Sequence, residues 1–160
     1  MKTLWVSCLC LIQFIGTDFN HFRNDIYITI HQLGGGITHA LGTGGRDLSE
    51  PVGAITALQS LDLLRRDPAT QVIVLISKPP ARRVAEQLVA AARASGKPVV
   101  IDFIGYRPQE RASGNVYFVP TLDAAAELAI KLASLEIGAA EAPPSPFAPG
   151  QRWLRGVFSG

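Results

Sequence analysis

Three apolar runs punctuate the second half of the chain. Gln71–Ser77 contains V-I-V-L-I, Pro98–Ile104 contains V-V-I-D-F-I, and Val116–Val119 is shorter. The first two are apolar at successive positions rather than alternate ones. That is expected of strands in a parallel sheet covered on both faces. Between the strands the period changes. Pro51–Arg66 places Val52, Ile55, Leu58, Leu61 and Leu64 three residues apart, which predicts a helix. Ala81–Ser95 is alanine-rich, with Val84, Leu88 and Ala91 on one predicted face and Gly96 closing it. Thr121 is placed to cap a last helix over Leu122–Leu135. Strand and helix alternating in this way predict a doubly wound α/β domain.

The first half is organised around two glycine clusters. Gly34, Gly35 and Gly36 can close a helix with left-handed residues. Ile26–Leu33 fits strand or helix by pattern, and its run into these glycines favours helix. Ile37–Leu41 reads as a short buried strand. Gly42, Thr43, Gly44 and Gly45 follow, then Arg46 and Asp47, with Ser49 and Pro51 as predicted cap and first turn of the next helix. In an open parallel sheet, a loop after a strand and before a helix lies where ligands bind.

The amino-terminal segment fits this scheme least. Lys2 and the apolar run to Ile15 imitate a signal peptide, but one lysine is a poor positive region and no small-residue cleavage site follows. The run is too short to span a bilayer. A buried first strand, or a segment foreign to the domain, are the other readings. At the opposite end, residues 138–150 form a Pro/Ala linker. Gln151–Gly160, with Trp153, Leu154, Val157 and Phe158, reads as a strand opening a truncated further domain. The expected organisation is an atypical segment 1–25, a domain 26–137, the linker 138–150 and the opening strand 151–160.

Composition narrows the chemistry. The chain has 160 residues, 48% of them apolar and 18% charged, with a net charge of +2. Those values exclude disorder for most of the chain. The basic residues are scattered, with no basic and aromatic stripe of a nucleic-acid groove. Cys8 and Cys10 are the only cysteines, too few for a disulfide framework or a complete zinc site. A reducing, cytoplasmic compartment and no membrane partner are expected. Three loops are expected to converge at the carboxyl edge of the sheet: Gly42–Asp47, Lys78–Pro80 and Gly105–Arg111. They offer backbone N–H groups with Arg46, Lys78, Arg107 and Arg111, a set suited to a phosphate or carboxylate. The competing reading is that Arg46 and Asp47 only fix the turn and that Lys78 is solvated. Asp102 is a mid-strand acid, and His39 reads first as a satisfied core histidine.

The segments G-G-G-I-T-H-A-L-G-T-G-G-R-D-L-S, R-D-P-A-T-Q-V-I-V-L-I-S-K-P-P and G-K-P-V-V carry a family likeness. From about Leu33 to Leu132 the chain resembles the ligase domain of the succinyl-CoA synthetase alpha-subunit superfamily, in its FdrA-type acyl-CoA synthetase branch. The resemblance implies a flavodoxin-like domain of a multi-domain subunit. CoA and a nucleotide are implied for the full-length family, and other domains or subunits of an acyl-CoA synthetase-like complex as partners. It also implies an amino-terminal CoA-binding Rossmann domain in full-length relatives, which is expected to be missing here. The family's phosphohistidine motif G-H-A-G has no counterpart in loop 105–114. His21, His31 and His39 lie elsewhere, and Lys78 stands where a glutamate is expected. No catalytic residue is therefore assigned. The resemblance implies acyl, phosphoryl or carbamoyl transfer by the parent subunit, with this chain inactive alone. A structural or assembly domain is the alternative. Self-association through Trp153–Phe158 is a further expectation.

Overall fold

A computed structural model describes residues 8–13, 19–44, 46–104 and 111–136. The elements are β1 (Cys8–Gln13), α1 (Phe19–Gln32), β2 (His39–Gly42), α2 (Ile55–Arg66), β3 (Val72–Ser77), α3 (Arg82–Ala94), β4 (Val99–Phe103), β5 (Ala112–Ser113), β6 (Val116–Phe118) and α4 (Leu122–Glu136). The sheet order is β2-β1-β3-β4-β6-β5. All pairs are parallel except β5 against β6. With the small antiparallel β5 set aside, the order is the flavodoxin-like one, reversing direction between β1 and β3.

Helices α1 and α4 pack together on one face, and α2 and α3 on the other. Alternation along the strands divides the core accordingly. Ile73, Leu75, Val99, Ile101 and Phe103 face the second pair, with Leu61, Leu64, Val84 and Leu88. Val72, Val74, Ile76 and Val100 face the first pair, with Ile26, Ile30 and the alanines Ala125, Ala126, Ala129 and Ala133 of α4. Every residue of β3 and β4 is buried, as their unbroken apolar runs require.

Several local expectations change. Cys8–Gln13 do not stand apart from the domain. They form the central strand, pairing with β2 on one side and β3 on the other. The C-L-C-L-I run supplies apolar residues at successive positions, the pattern of a central parallel strand, so of the readings of this segment the first strand is the one realised. β2 starts two residues later and ends one residue later than the expected run, and it is an exposed edge strand rather than a buried one. α2 begins at Ile55 instead of Pro51, because Gly53 (φ +69°) and Ala54 (φ +61°) are left-handed and residues 46–54 turn on themselves. Its buried residues are Ala57, Ser60, Leu61 and Leu64, while Ile55 is 58% exposed. A strict spacing of three slips backward around a helix of 3.6 residues per turn, so Ile55 and Leu64 cannot share a face. The linker 138–150 and the segment Trp153–Phe158 lie outside the described residues.

The end of α1 follows from its glycines. Gly35 N donates to Ile30 O (2.9 Å) and Gly34 N to His31 O (3.0 Å), with Gly34 at φ +85°. These are the two bonds of a Schellman closure. At the start of α4, Thr121 Oγ1 accepts from Ala124 N at 3.2 Å, the expected cap.

Candidate functional site

The glycine loop begins where β2 ends, at Gly42, on the outer edge of the sheet. Gly44 is left-handed, φ +79°, and nothing lies within 4 Å of the position a Cβ would take. Thr43 turns its hydroxyl inward. Oγ1 is buried without a hydrogen-bond partner. It lines a cavity of about 10 Å³ shared with Leu48, Leu75, Ser77 and Phe103. That volume is near the minimum for a single water. Arg46 is exposed, and among the described residues its guanidinium has no hydrogen bond or ion pair. Its carbonyl accepts from Ser49 N (3.0 Å) and Ser49 Oγ (2.6 Å), so Ser49 fixes this turn instead of capping α2.

The cap of α2 is Asp47. Its carboxylate is 4% exposed and accepts from Thr56 N (Oδ1, 2.9 Å) and Ala57 N (Oδ2, 2.8 Å). Its carbonyl accepts from Ala54 N at 2.7 Å. These charge-assisted bonds satisfy donors that a helix start leaves free, and the negative charge sits at the positive end of the helix dipole. The positive end of α2 therefore already holds an anion from its own chain.

Lys78 follows β3 and is exposed, with no ion pair among the described residues. Ala81 N donates to Leu48 O at 3.3 Å, so the turn after β3 touches the turn after β2. Arg111 does not join them. It precedes β5 at the far edge of the sheet, five strand spacings from β2, or roughly 24 Å. Gly45 and Arg107 lie outside the described residues.

Asp102 is the residue whose setting the sequence did not disclose. It lies on β4, opposite Ile76 in register, and is 2% exposed. Burial pushes its carboxyl up to about 6, and no described residue bonds to it. His39 is not a core histidine. Its side chain is 42% exposed at the start of β2, with Nδ1 3.5 Å from Asp67 Oδ2. Around it, Thr70 Oγ1 donates to Asp67 (2.5 Å), and Lys97 Nζ donates to the carbonyls of Leu64 (2.8 Å) and Asp67. This cluster ties the end of α2 to the amino edge of the sheet, away from the crevice. A second groove, lined by Tyr27, Ile30, His31, Gly35, Gly36 and Ile37, also lies beyond the carboxyl end of α1. Among the described residues no group of His, Cys, Asp and Glu could hold a metal, and no helix is long and apolar enough to cross a membrane.

A flavodoxin-like sheet with glycine turns at its carboxyl edge defines a class of ligand-binding α/β domains. Residues 20–105 match the family model described as CoA binding domain, and the chain belongs to that family, the domain found in succinyl-CoA synthetase alpha-like proteins. The expectation that a CoA-binding domain is missing is thereby overturned. Periodicity cannot separate two doubly wound domains whose strands and helices alternate alike. The chain is also 36% identical over 147 residues to the "Uncharacterized protein YahF" of Escherichia coli (strain K12). The alignment covers 85% of this chain and 28% of that relative, so the chain spans little more than a quarter of its length.

Proposed function

We propose that this CoA-ligase-like domain belongs to an FdrA-type acyl-CoA synthetase-like subunit and supplies part of its anion site. The site would bind a phosphate group of CoA or a nucleotide, or a substrate carboxylate. Gly42, Thr43, Gly44 and Gly45 would supply backbone N–H groups, Arg46 and Arg107 paired hydrogen bonds and Lys78 a point charge. The observation that carries this reading is the bond between Ala81 and Leu48, which brings the turn bearing Lys78 against the turn bearing Arg46. Two cations that are unpaired among the described residues, beside a glycine turn, favour an anionic group. Acyl, phosphoryl or carbamoyl transfer would belong to the whole subunit, and the chain alone would not turn over.

One observation favours the alternative of an assembly domain. Asp47 fills the start of α2, so the loop has a purely structural occupation as well. Calorimetric titration of the chain with CoA separates the two. Arg46→Ala and Lys78→Ala should each weaken CoA roughly tenfold to a hundredfold, the worth of one charge-assisted hydrogen bond, with unchanged thermal stability. CoA binding that is absent, or equal in all three proteins, overturns the anion-site reading.

A further inference from the structure

Nothing in the fold calls for an acid at position 102. Its neighbours on the same face of the sheet are apolar: Val100 and Ile104 along the strand, and Ile76 across it. Valine would satisfy the sheet there. A buried carboxylate with no donor among the described residues is costly, and strongly perturbed acids cluster at sites that serve a ligand. The position agrees with that. Asp102 is one residue from the carboxyl end of β4, beside the β1/β3 crevice where a flavodoxin-like sheet takes its ligand. Ile104 N donates to Ser77 O (2.8 Å), carrying the β3–β4 pairing past the strand ends. Lys78 directly follows the last residue of β3, at the strand end beside which Asp102 sits, two residues beyond Ile76, the register partner of Asp102. The two form no ion pair.

We propose that Asp102 is a proton-carrying ligand group: in its neutral form it donates a hydrogen bond to one oxygen of a phosphate-like or carboxylate anion, while the Lys78 ammonium pairs with another oxygen. The inference rests on the anion-site reading only in requiring an anionic ligand in the crevice. An ionised Asp102 would repel the anion, so binding takes up a proton at its carboxyl. Other ionisable groups on the neighbouring elements are poorly placed to substitute. Tyr117 of β6 is half-buried beside Val100. Asp123, Glu127 and Lys131 of α4 are exposed. On α1, among the described side chains, Tyr27 lies a turn before the exposed His31 at the carboxyl end, on the opposite side of the sheet's length.

The probe is inorganic sulfate, whose own charge is constant over the relevant range. Its binding to the intact chain is measured from about pH 5.5 to 7.5, in two buffers of different ionisation enthalpy. Wild type should lose affinity as pH rises above about 6, approaching tenfold per unit. It should also take up close to one proton per sulfate at neutral pH. Asp102→Asn keeps a donor and cannot titrate, so its affinity should be nearly independent of pH. Lys78→Ala should bind weakly throughout. Wild type that does not bind sulfate, or binds it without proton uptake, overturns the proposal. So does an Asn variant that retains the wild-type slope. Should the Asn variant fail to fold, wild-type proton uptake decides the matter alone. CoA binding that persists without any role for Asp102 would overturn this inference and leave the anion-site reading intact.

Discussion

At the scale of single residues, Asp47 shows how a candidate ligand group can be a structural one. Its carboxylate reaches nine and ten residues along the chain to the first free N–H groups of α2. Ala54, immediately before the helix, has no side-chain oxygen to offer. Asp47→Ala should therefore destabilise the fold by about 2 kcal/mol, the upper part of the range for a lost cap, because the donors left behind are largely buried. Urea denaturation gives the number, and a loss below about 0.5 kcal/mol would show that water replaces the carboxylate. The pairing of Asp47 with Thr56 and Ala57 was not legible in the sequence. Ser49 stands closer to the helix and has the better local signature, but the left-handed turn at Gly53–Ala54 moves the helix start beyond its reach.

At the scale of elements, legibility followed the source of each element's stability. β3 and β4 are buried on both sides, so their apolar runs identify them nearly to the residue. α3 and α4 were equally plain, the latter from Thr121 and its alanines. β2 was misjudged, because it is an exposed edge that only looked apolar, whereas β1 realises the strand that was one of the readings of its apolar run. Of the candidate site, the contact between the two turns was legible as a shared sheet edge. The separation of Arg111 was not, because strand order is a long-range property. The end of α1 offers a clean measurement. A methyl group at Gly34 meets nothing within 4 Å, so Gly34→Ala tests the left-handed backbone alone. A cost of about 1–2 kcal/mol is expected, read from the shift in thermal midpoint. No shift would mean that the Schellman closure relaxes freely.

For the molecule as a whole, carboxylates of opposite character shape the response to pH. Hydrogen bonding by Thr70 and Ala69 and the nearby charges of His39 and Lys97 hold Asp67 below its usual range. The hydrogen bond from Arg65 chiefly does the same for the exposed Asp62. A lowered acid contributes stability above its unfolded value, and that contribution disappears as pH falls through the folded one. Asp102 works in reverse. Its folded value of about 6 exceeds the ordinary 3.8, so its protonated form is favoured by folding. No penalty exists below about pH 4. It grows as pH rises and is complete above about 6, with a ceiling of roughly 3 kcal/mol. Wild type should be more stable at pH 5 than at 7.5, and Asp102→Asn should remove that slope while gaining stability at 7.5. A thermal-melting series over pH checks both, and identical slopes in the two proteins would contradict the burial argument.

The place of β1 between β2 and β3 also governs how the sheet is assembled in time. Its pairings join Leu9 to His39 and Cys8 to Val72, partners that are translated thirty and sixty-four residues later. Closing the longer loop costs only about 0.6 kcal/mol more than closing the shorter, since the penalty grows with the logarithm of length. The delay is therefore set by synthesis rather than by entropy. A nascent chain carries β1 with one edge open until β3 has left the ribosome, and β2 joins the sheet only through β1. The earliest of the described strands is the joint on which the two sides of the described sheet wait.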